Sequence, residues 1–132
     1  MSSHEIVIIV GHGNPEKEAD NTAYIAEELH SMIHPSCSDN CIRIAYLQFM
    51  KPELPEAISD AVKDGTHKII IHPYLLSSGY HVSKNIPDII DKSKKDHPDV
   101  EFIYTEPLGA HIKLAEVVLE RIRESTDLQN NK

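Results

Sequence analysis

The chain of 132 residues is short of cysteine, of long apolar runs and of positive charge, and each shortage excludes something. Its two cysteines, Cys37 and Cys41, stand in Cys-Ser-Asp-Asn-Cys with no second Cys or His pair at zinc-finger spacing. A zinc finger or a disulfide framework is therefore not expected, and both read as reduced cytosolic thiols without a role. The longest apolar run, Ile6 to Val10, falls far short of the roughly 20 residues of a membrane span. The start Met1-Ser2-Ser3-His4-Glu5 lacks a basic stretch followed by an apolar one, so neither a membrane partner nor a standard signal peptide is expected, and the cytoplasm is the expected location. Lys and Arg number 13 against 21 Asp and Glu, a formal charge of -8 with no dense basic stripe, which argues against nucleic acid as a partner. No linker, repeat or low-complexity tract interrupts the chain. Residues 1–132 are expected to form one domain, with a polar tail from about Ser125 that frays.

What is present is an alternation of β-branched runs and helical periods. Glu5 to Val10 reads as a buried strand stopped by Gly11-His12-Gly13. A helix is expected from Glu16 to about Ile33, with Ala19, Thr22, Ala26, Leu29, Ile33 and Met32 on its apolar face, ended by Pro35. Cys41 to Phe49 is a second strand, and Lys51-Pro52-Glu53-Leu54-Pro55 opens a helix through Val62. His67 to Leu76 is a third strand, followed by a loop through His81 and a helix from about Lys84 to Lys95 that turns Ile86, Ile89 and Ile90 inward. Val100 to Thr105 is a fourth strand, and a last helix from about Ala110 to Glu124 aligns Leu114, Val117, Val118 and Ile122 on one face. Four strands each followed by a helix predict a flavodoxin-like α/β three-layer sandwich, a parallel sheet in the order 2-1-3-4 with helices on both faces.

Such sheets bind ligands outside the carboxyl ends of their strands. The loops expected there carry Gly11, His12 and Gly13 after strand 1, Gln48 after strand 2, Ser78, Gly79, Tyr80 and His81 after strand 3, and Glu106 with His111 after strand 4. His12 and His81 thus fall on neighbouring strands at one edge, as candidates for one site. Histidine titrates near neutrality and is the commonest metal ligand, and this chain has nine. His72, inside strand 3, reads instead as a hydrogen-bonded sheet residue, and His4, His30, His34, His67 and His97 as surface positions. The loop Gly11-His12-Gly13-Asn14-Pro15 lacks the Lys-Ser/Thr ending of a P-loop and the third glycine of a dinucleotide fingerprint. Val10 stands where a histidine phosphatase would need an arginine.

Four segments, in order, carry a family resemblance. They are Val10-Gly-His-Gly-Asn-Pro, Lys51-Pro-Glu-Leu-Pro-Glu-Ala, Lys68-Ile-Ile-Ile-His-Pro-Tyr-Leu-Leu-Ser-Ser-Gly-Tyr-His-Val-Ser-Lys-Asn-Ile-Pro and Glu106-Pro-Leu-Gly-Ala-His. Together they resemble the small CbiX-type chelatases of the class II chelatase fold, from about residue 5 to 123. The resemblance implies an enzyme that inserts a divalent metal, Co²⁺, Fe²⁺ or Ni²⁺, into sirohydrochlorin, with His12 and His81 as its catalytic and metal-binding histidines. It implies a homodimer and no organic cofactor. Gly11, Gly13, Gln48, Ser78, Gly79 and Tyr80 are the expected positions around the substrate. The chain departs from the family pattern at Gln48, where a glutamate is usual, and at Asn14, where serine is.

The chemistry fits these residue types. Metallation must hold a divalent ion loosely and remove two pyrrole N–H protons, and neutral imidazole does both near neutral pH. Helix N-termini at the carboxyl edge, with Lys17, Lys51 and Lys84, would oppose the net negative charge beside a polycarboxylate. Two alternatives stay open: a tetrapyrrole or metal carrier that lost turnover through Gln48, and a flavodoxin-like domain binding an unrelated anion.

Overall fold

The computed structural model describes residues 5–33, 40–77 and 79–126, and of residues 80–83 the backbone alone. Strand β1 (Glu5–Gly11) leads into a single 3-10 turn at Lys17–Ala19 and helix α1 (Thr22–Ile33). Then follow β2 (Ile42–Tyr46), α2 (Leu54–Lys63), β3 (Lys68–Pro73), α3 (Tyr80–Asp96), β4 (Glu101–Tyr104) and α4 (Ile112–Ser125). The sheet is parallel in the order β2-β1-β3-β4. The flavodoxin-like expectation therefore holds, and every helix opens at the carboxyl edge.

The period-2 alternation of β1 and β3 divides the sheet. Ile6, Ile8, Val10, Ile69 and Ile71 face α2 and α3, where they pack with Leu54, Ala57, Ile58, Ala61, Ile86 and Ile90 into one buried core. Complete burial of a side chain such as Ile8, Ile58 or Ile71 stabilises the fold by roughly 1.5–3 kcal/mol each. Val7, Ile9, Ile70 and His72 face the other way, toward α1 and α4, across an open groove of about 820 Å³. There the cover is thin. Helix α1 buries Thr22 and Ala26, whereas Met32, expected on its apolar face, is 77% exposed. Helix α4 buries none of its residues, and Val117, Val118 and Ile122, expected on one packed face, are 47%, 58% and 42% exposed.

Several boundaries differ from expectation for local reasons. Helix α1 starts at Thr22 rather than Glu16 because the Asp20 carboxylate accepts the Thr22 N–H at 2.8 Å, capping the helix there. Strand β2 stops at Tyr46, three residues early, because Tyr46 N–H donates to Pro52 O and Phe49 takes a left-handed φ of 70°. Helix α2 opens at Leu54 with Pro55 in its first turn, as expected, and is capped by a reciprocal box between Glu53 and Glu56. Strand β3 ends at Pro73, which has no N–H to continue the ladder. Helix α3 begins four residues early, at Tyr80, and its interior accommodates Pro87. Cys41, expected as a reduced thiol, is disulfide-bonded and 3% exposed just before β2, at the amino edge of the sheet. Cys37, His4, His34 and the tail from residue 127 lie outside the described residues.

His72 is the sheet residue expected from its position. Its Nδ1 lies 2.7 Å from Thr105 Oγ1, whose hydroxyl donates on to Glu106 O, so the ring donates to Thr105. Burial lowers its pKa from the ordinary 6.5. The unfolded chain therefore takes up a proton here before the folded one, and stability is fully present above about pH 6.5 and falls as pH drops below it. His72→Gln is expected to show a smaller fall in Tm than the parent between about pH 7.5 and about pH 5.5. His72→Ala, losing the hydrogen bond, should lower stability by about 1–3 kcal/mol in urea unfolding.

Candidate functional site

The first half of the site is two loops joined by their backbones. Leu47 N–H donates to Gly11 O at 3.0 Å and Gln48 N–H donates to His12 O at 3.2 Å, extending the β1–β2 ladder past the strand ends. So close an approach requires glycine. A Cβ on Gly13, whose φ is +94°, would overlap Gln48 O, and one on Gly11 would overlap Thr22 Oγ1. The two glycines thus let the His12 turn lie directly against the end of β2 and the start of α1.

His12 itself is exposed, and its ring is oriented from both sides. Nδ1 lies 3.3 Å from Gly13 O, and the Gln48 amide nitrogen lies 3.2 Å from Nε2 and 3.5 Å from Nδ1. The amide nitrogen is thus nearly equidistant from the two ring nitrogens, so it lies against the ring rather than along either in-plane lone pair, while Nδ1 is the nitrogen beside Gly13 O. The Gln48 side chain therefore packs against the His12 imidazole from the loop after β2.

The second half follows β3. Tyr74 N–H donates to Val10 O at 2.8 Å, which holds the ends of β1 and β3 side by side. Gly79 is the residue before α3, and Tyr80 and His81 are the first two residues of that helix. His81, expected in a loop, thus stands in the first turn of a helix beside the strand that carries His12, at the positive end of the helix dipole. Ser78 lies outside the described residues. Glu106, after edge strand β4, is separated from β1 by β3, a distance of two strand spacings or roughly 10 Å, so it is no neighbour of Gln48 at the opposite side.

A recess of about 300 Å³ beside His12 is lined by Gly13, Asn14, Asp20, Asn21, Tyr74 and Leu75. Asp20, Asn21 and Tyr74 were not singled out by the sequence, although Asp20 two residues before Thr22 is a helix-cap signal. The Tyr46 phenol is raised above its ordinary pKa by burial and by the charge and hydrogen bond of Asp20, which ties the end of β2 to the start of α1. Asn21 and Tyr74 also line the larger groove under α4, so the two spaces are contiguous at this edge. Lys51 pairs with Glu53 at 3.5 Å and Lys84 with Asp88 at 3.4 Å, both as exposed pairs of little energetic weight. Among the described residues no group of three or more His, Cys, Asp or Glu is placed to hold a metal ion.

A family model described as CbiX matches residues 6–125. A sirohydrochlorin cobaltochelatase of Methanothermobacter thermautotrophicus is 29% identical over 136 residues, which cover 90% of this chain and 91% of that protein. A sirohydrochlorin cobaltochelatase of Priestia megaterium is 29% identical over 119 residues, but the chain spans only 38% of its length. The crystal structure of the sirohydrochlorin chelatase SirB from Bacillus subtilis subspecies spizizenii, in complex with cobalt, superposes with a TM-score of 0.78 at 24% identity. That match covers 92% of this chain and 50% of SirB, and it establishes the shared fold. The family match runs from Ile6 in β1 to Ser125 at the end of α4 and takes in both histidine segments, and on that evidence the chain belongs to the CbiX family.

Proposed function

We propose that this chain is a sirohydrochlorin chelatase, which exchanges the two pyrrole N–H protons of the macrocycle for one divalent metal ion. The observation that carries the reading is the exposed His12 imidazole, held on a glycine turn against the Gln48 amide, at the carboxyl edge of a CbiX-family sheet. Relatives named as sirohydrochlorin cobaltochelatases, one of them matched over 91% of its length, supply the substrate.

In this reading the macrocycle lies across the carboxyl edge, above Gly11, Gly13 and Gln48 on one side and the backbone of Gly79 and Tyr80 at the start of α3 on the other. Its carboxylates meet the helix N-termini, whose partial positive charge offsets the net charge of the chain. His12 and His81 divide two tasks, holding the incoming ion and accepting the pyrrole protons. Co²⁺, Fe²⁺ and Ni²⁺ are the proposed metal substrates, because borderline ions of this kind are suited to imidazole. No organic cofactor, nucleic acid or membrane enters the scheme. Among the described residues no helix is long and apolar enough to cross a membrane.

The proposal includes a homodimer acting in the cytoplasm. The exposed apolar residues of α4, Ile112, Val117, Val118, Leu119 and Ile122, support the dimer, since a contiguous apolar surface of this kind is characteristic of an interface. In a reducing compartment the Cys41 disulfide would be subject to reduction, and it lies at the edge of the sheet opposite the site. The test is anaerobic incubation of the protein with sirohydrochlorin and Co²⁺, Fe²⁺ or Ni²⁺ separately, followed by absorbance. Repeated turnover with at least one metal is expected. Stoichiometric binding without turnover would make the protein a carrier, and absence of sirohydrochlorin binding would end the reading.

A further inference from the structure

Phe49 is held in an unfavourable backbone conformation and leaves most of its surface exposed. Its φ of 70° is one that L side chains rarely adopt. The only other non-glycine residue with positive φ among the described residues is Asn40, a type that tolerates it. The conformation is imposed from both sides: Leu47 and Gln48 are bonded to Gly11 and His12, and Tyr46 N–H is bonded to Pro52 O, so the five residues between are clamped into a tight bend. Glycine would fit that bend without strain. The chain instead places a phenyl group there, 59% exposed. Phe102, the chain's one other phenylalanine, packs against the core.

The place of Phe49 in the fold indicates a use. It directly follows Gln48, whose amide touches His12, so its Cα lies about 3.8 Å from that of a residue bonded to the candidate site. A backbone strained at one point, over-determined by its neighbours and carrying an exposed aromatic residue directly after the one that touches His12, fits a binding device better than a packing one. We propose that Phe49 is a specificity-determining residue, an apolar platform against which one face of the tetrapyrrole rests while its centre is presented to His12. This rests on the function proposed above. It adds that the site recognises the flat conjugated surface of the macrocycle, as well as its carboxylates, through a ring that the strained bend holds out from the core.

The test compares Phe49→Ala, Phe49→Gly and Phe49→Trp with the parent protein. The measurements are the Kd for metal-free sirohydrochlorin by anaerobic absorbance titration, KM and kcat for metallation, Tm, and oligomeric state by sedimentation. The alanine and glycine variants are expected to bind sirohydrochlorin about tenfold more weakly and to raise KM to the same degree, with kcat unchanged. Phe49→Trp should bind at least as tightly as the parent. Phe49→Gly should keep or raise Tm, since glycine relaxes the bend, so its weaker binding would not reflect a damaged fold. Parental Kd in both the alanine and glycine variants overturns the proposal, as does weaker binding that follows a loss of Tm or of the dimer. If the parent protein itself fails to bind sirohydrochlorin, the proposed function falls and this inference with it. If the parent binds and metallates while the variants match it, only this inference falls.

Discussion

Alanine in place of His12, or of His81, is expected to abolish metal insertion into sirohydrochlorin while leaving the fold intact. The proposed reaction needs both a site for the ion and an acceptor for two protons. Among the described residues lining the recess, His12 is the one histidine, and it is exposed. Loss of a positioned proton acceptor costs a factor of about 10²–10⁴ in rate, and loss of a metal ligand adds to it. The fold should not suffer. His12 is exposed on a turn whose backbone bonds are made by Gly11, His12 O and Gln48 N–H, none of which uses the imidazole. His81 occupies the first turn of α3, whereas the helix is anchored in the core by Ile86 and Ile90. Initial metallation rates with each metal, read beside circular dichroism and Tm, decide the matter. Wild-type turnover in either single variant would remove that histidine from the mechanism.

Gln48→Glu is expected to raise the metallation rate, by about tenfold at saturating sirohydrochlorin and neutral pH. The Gln48 amide nitrogen lies 3.2 Å from His12 Nε2, so the side chain at 48 stands within reach of an ion or proton held by that ring. A carboxylate accepts instead of donating, attracts a divalent ion and serves as a second base, and Glu106 is roughly two strands too far away to do this for the natural protein. The same substitution carries a pH signature. An ionised carboxylate against the ring favours the protonated imidazolium, so on acidification the variant should lose activity at a higher pH than the parent. Rates for both proteins across the three metals, measured as a function of pH, test both parts. An equal or lower rate with every metal would show that the amide is no defect, and an unshifted acid limb would show that the residue at 48 does not control the His12 proton.

The fold was legible because strand and helix periods agreed with each other. Runs such as Ile69-Ile-Ile between Gly65 and Ser77, alternating with helical periods, leave a parallel sheet as the consistent solution, and the order then follows from right-handed crossovers. Element ends were less legible because they depend on single side-chain bonds. Asp20 capping Thr22 and the clamp from Tyr46 to Pro52 each moved a boundary by several residues. The location of His12 and Gln48 at one edge could be read from the loops. Their contact could not, because it depends on a backbone approach that Gly13 permits and that no periodicity encodes. The bareness of α4 was hidden for a related reason. Its apolar residues have helical spacing, and spacing reveals a stripe without revealing whether the same chain covers it.

That bareness bears on how the molecule comes apart. The core between the sheet and α2 and α3 is tightly knit, whereas α4 contributes no buried residue and lies over an open groove. The free energy of opening is therefore unequal along the chain. Helix α4 can detach as a separate cooperative unit at little cost, while the amides of β1 and β3, hydrogen-bonded on both sides in the middle of the sheet, open only with the whole domain. The turn bearing His12 continues the ladder between β1 and β2, so it belongs to the last unit to open. Loss of the α4 helical signal on heating will then precede loss of the site, and α4 can exchange, fray or associate without disturbing the imidazole at the other end of the fold's stability scale.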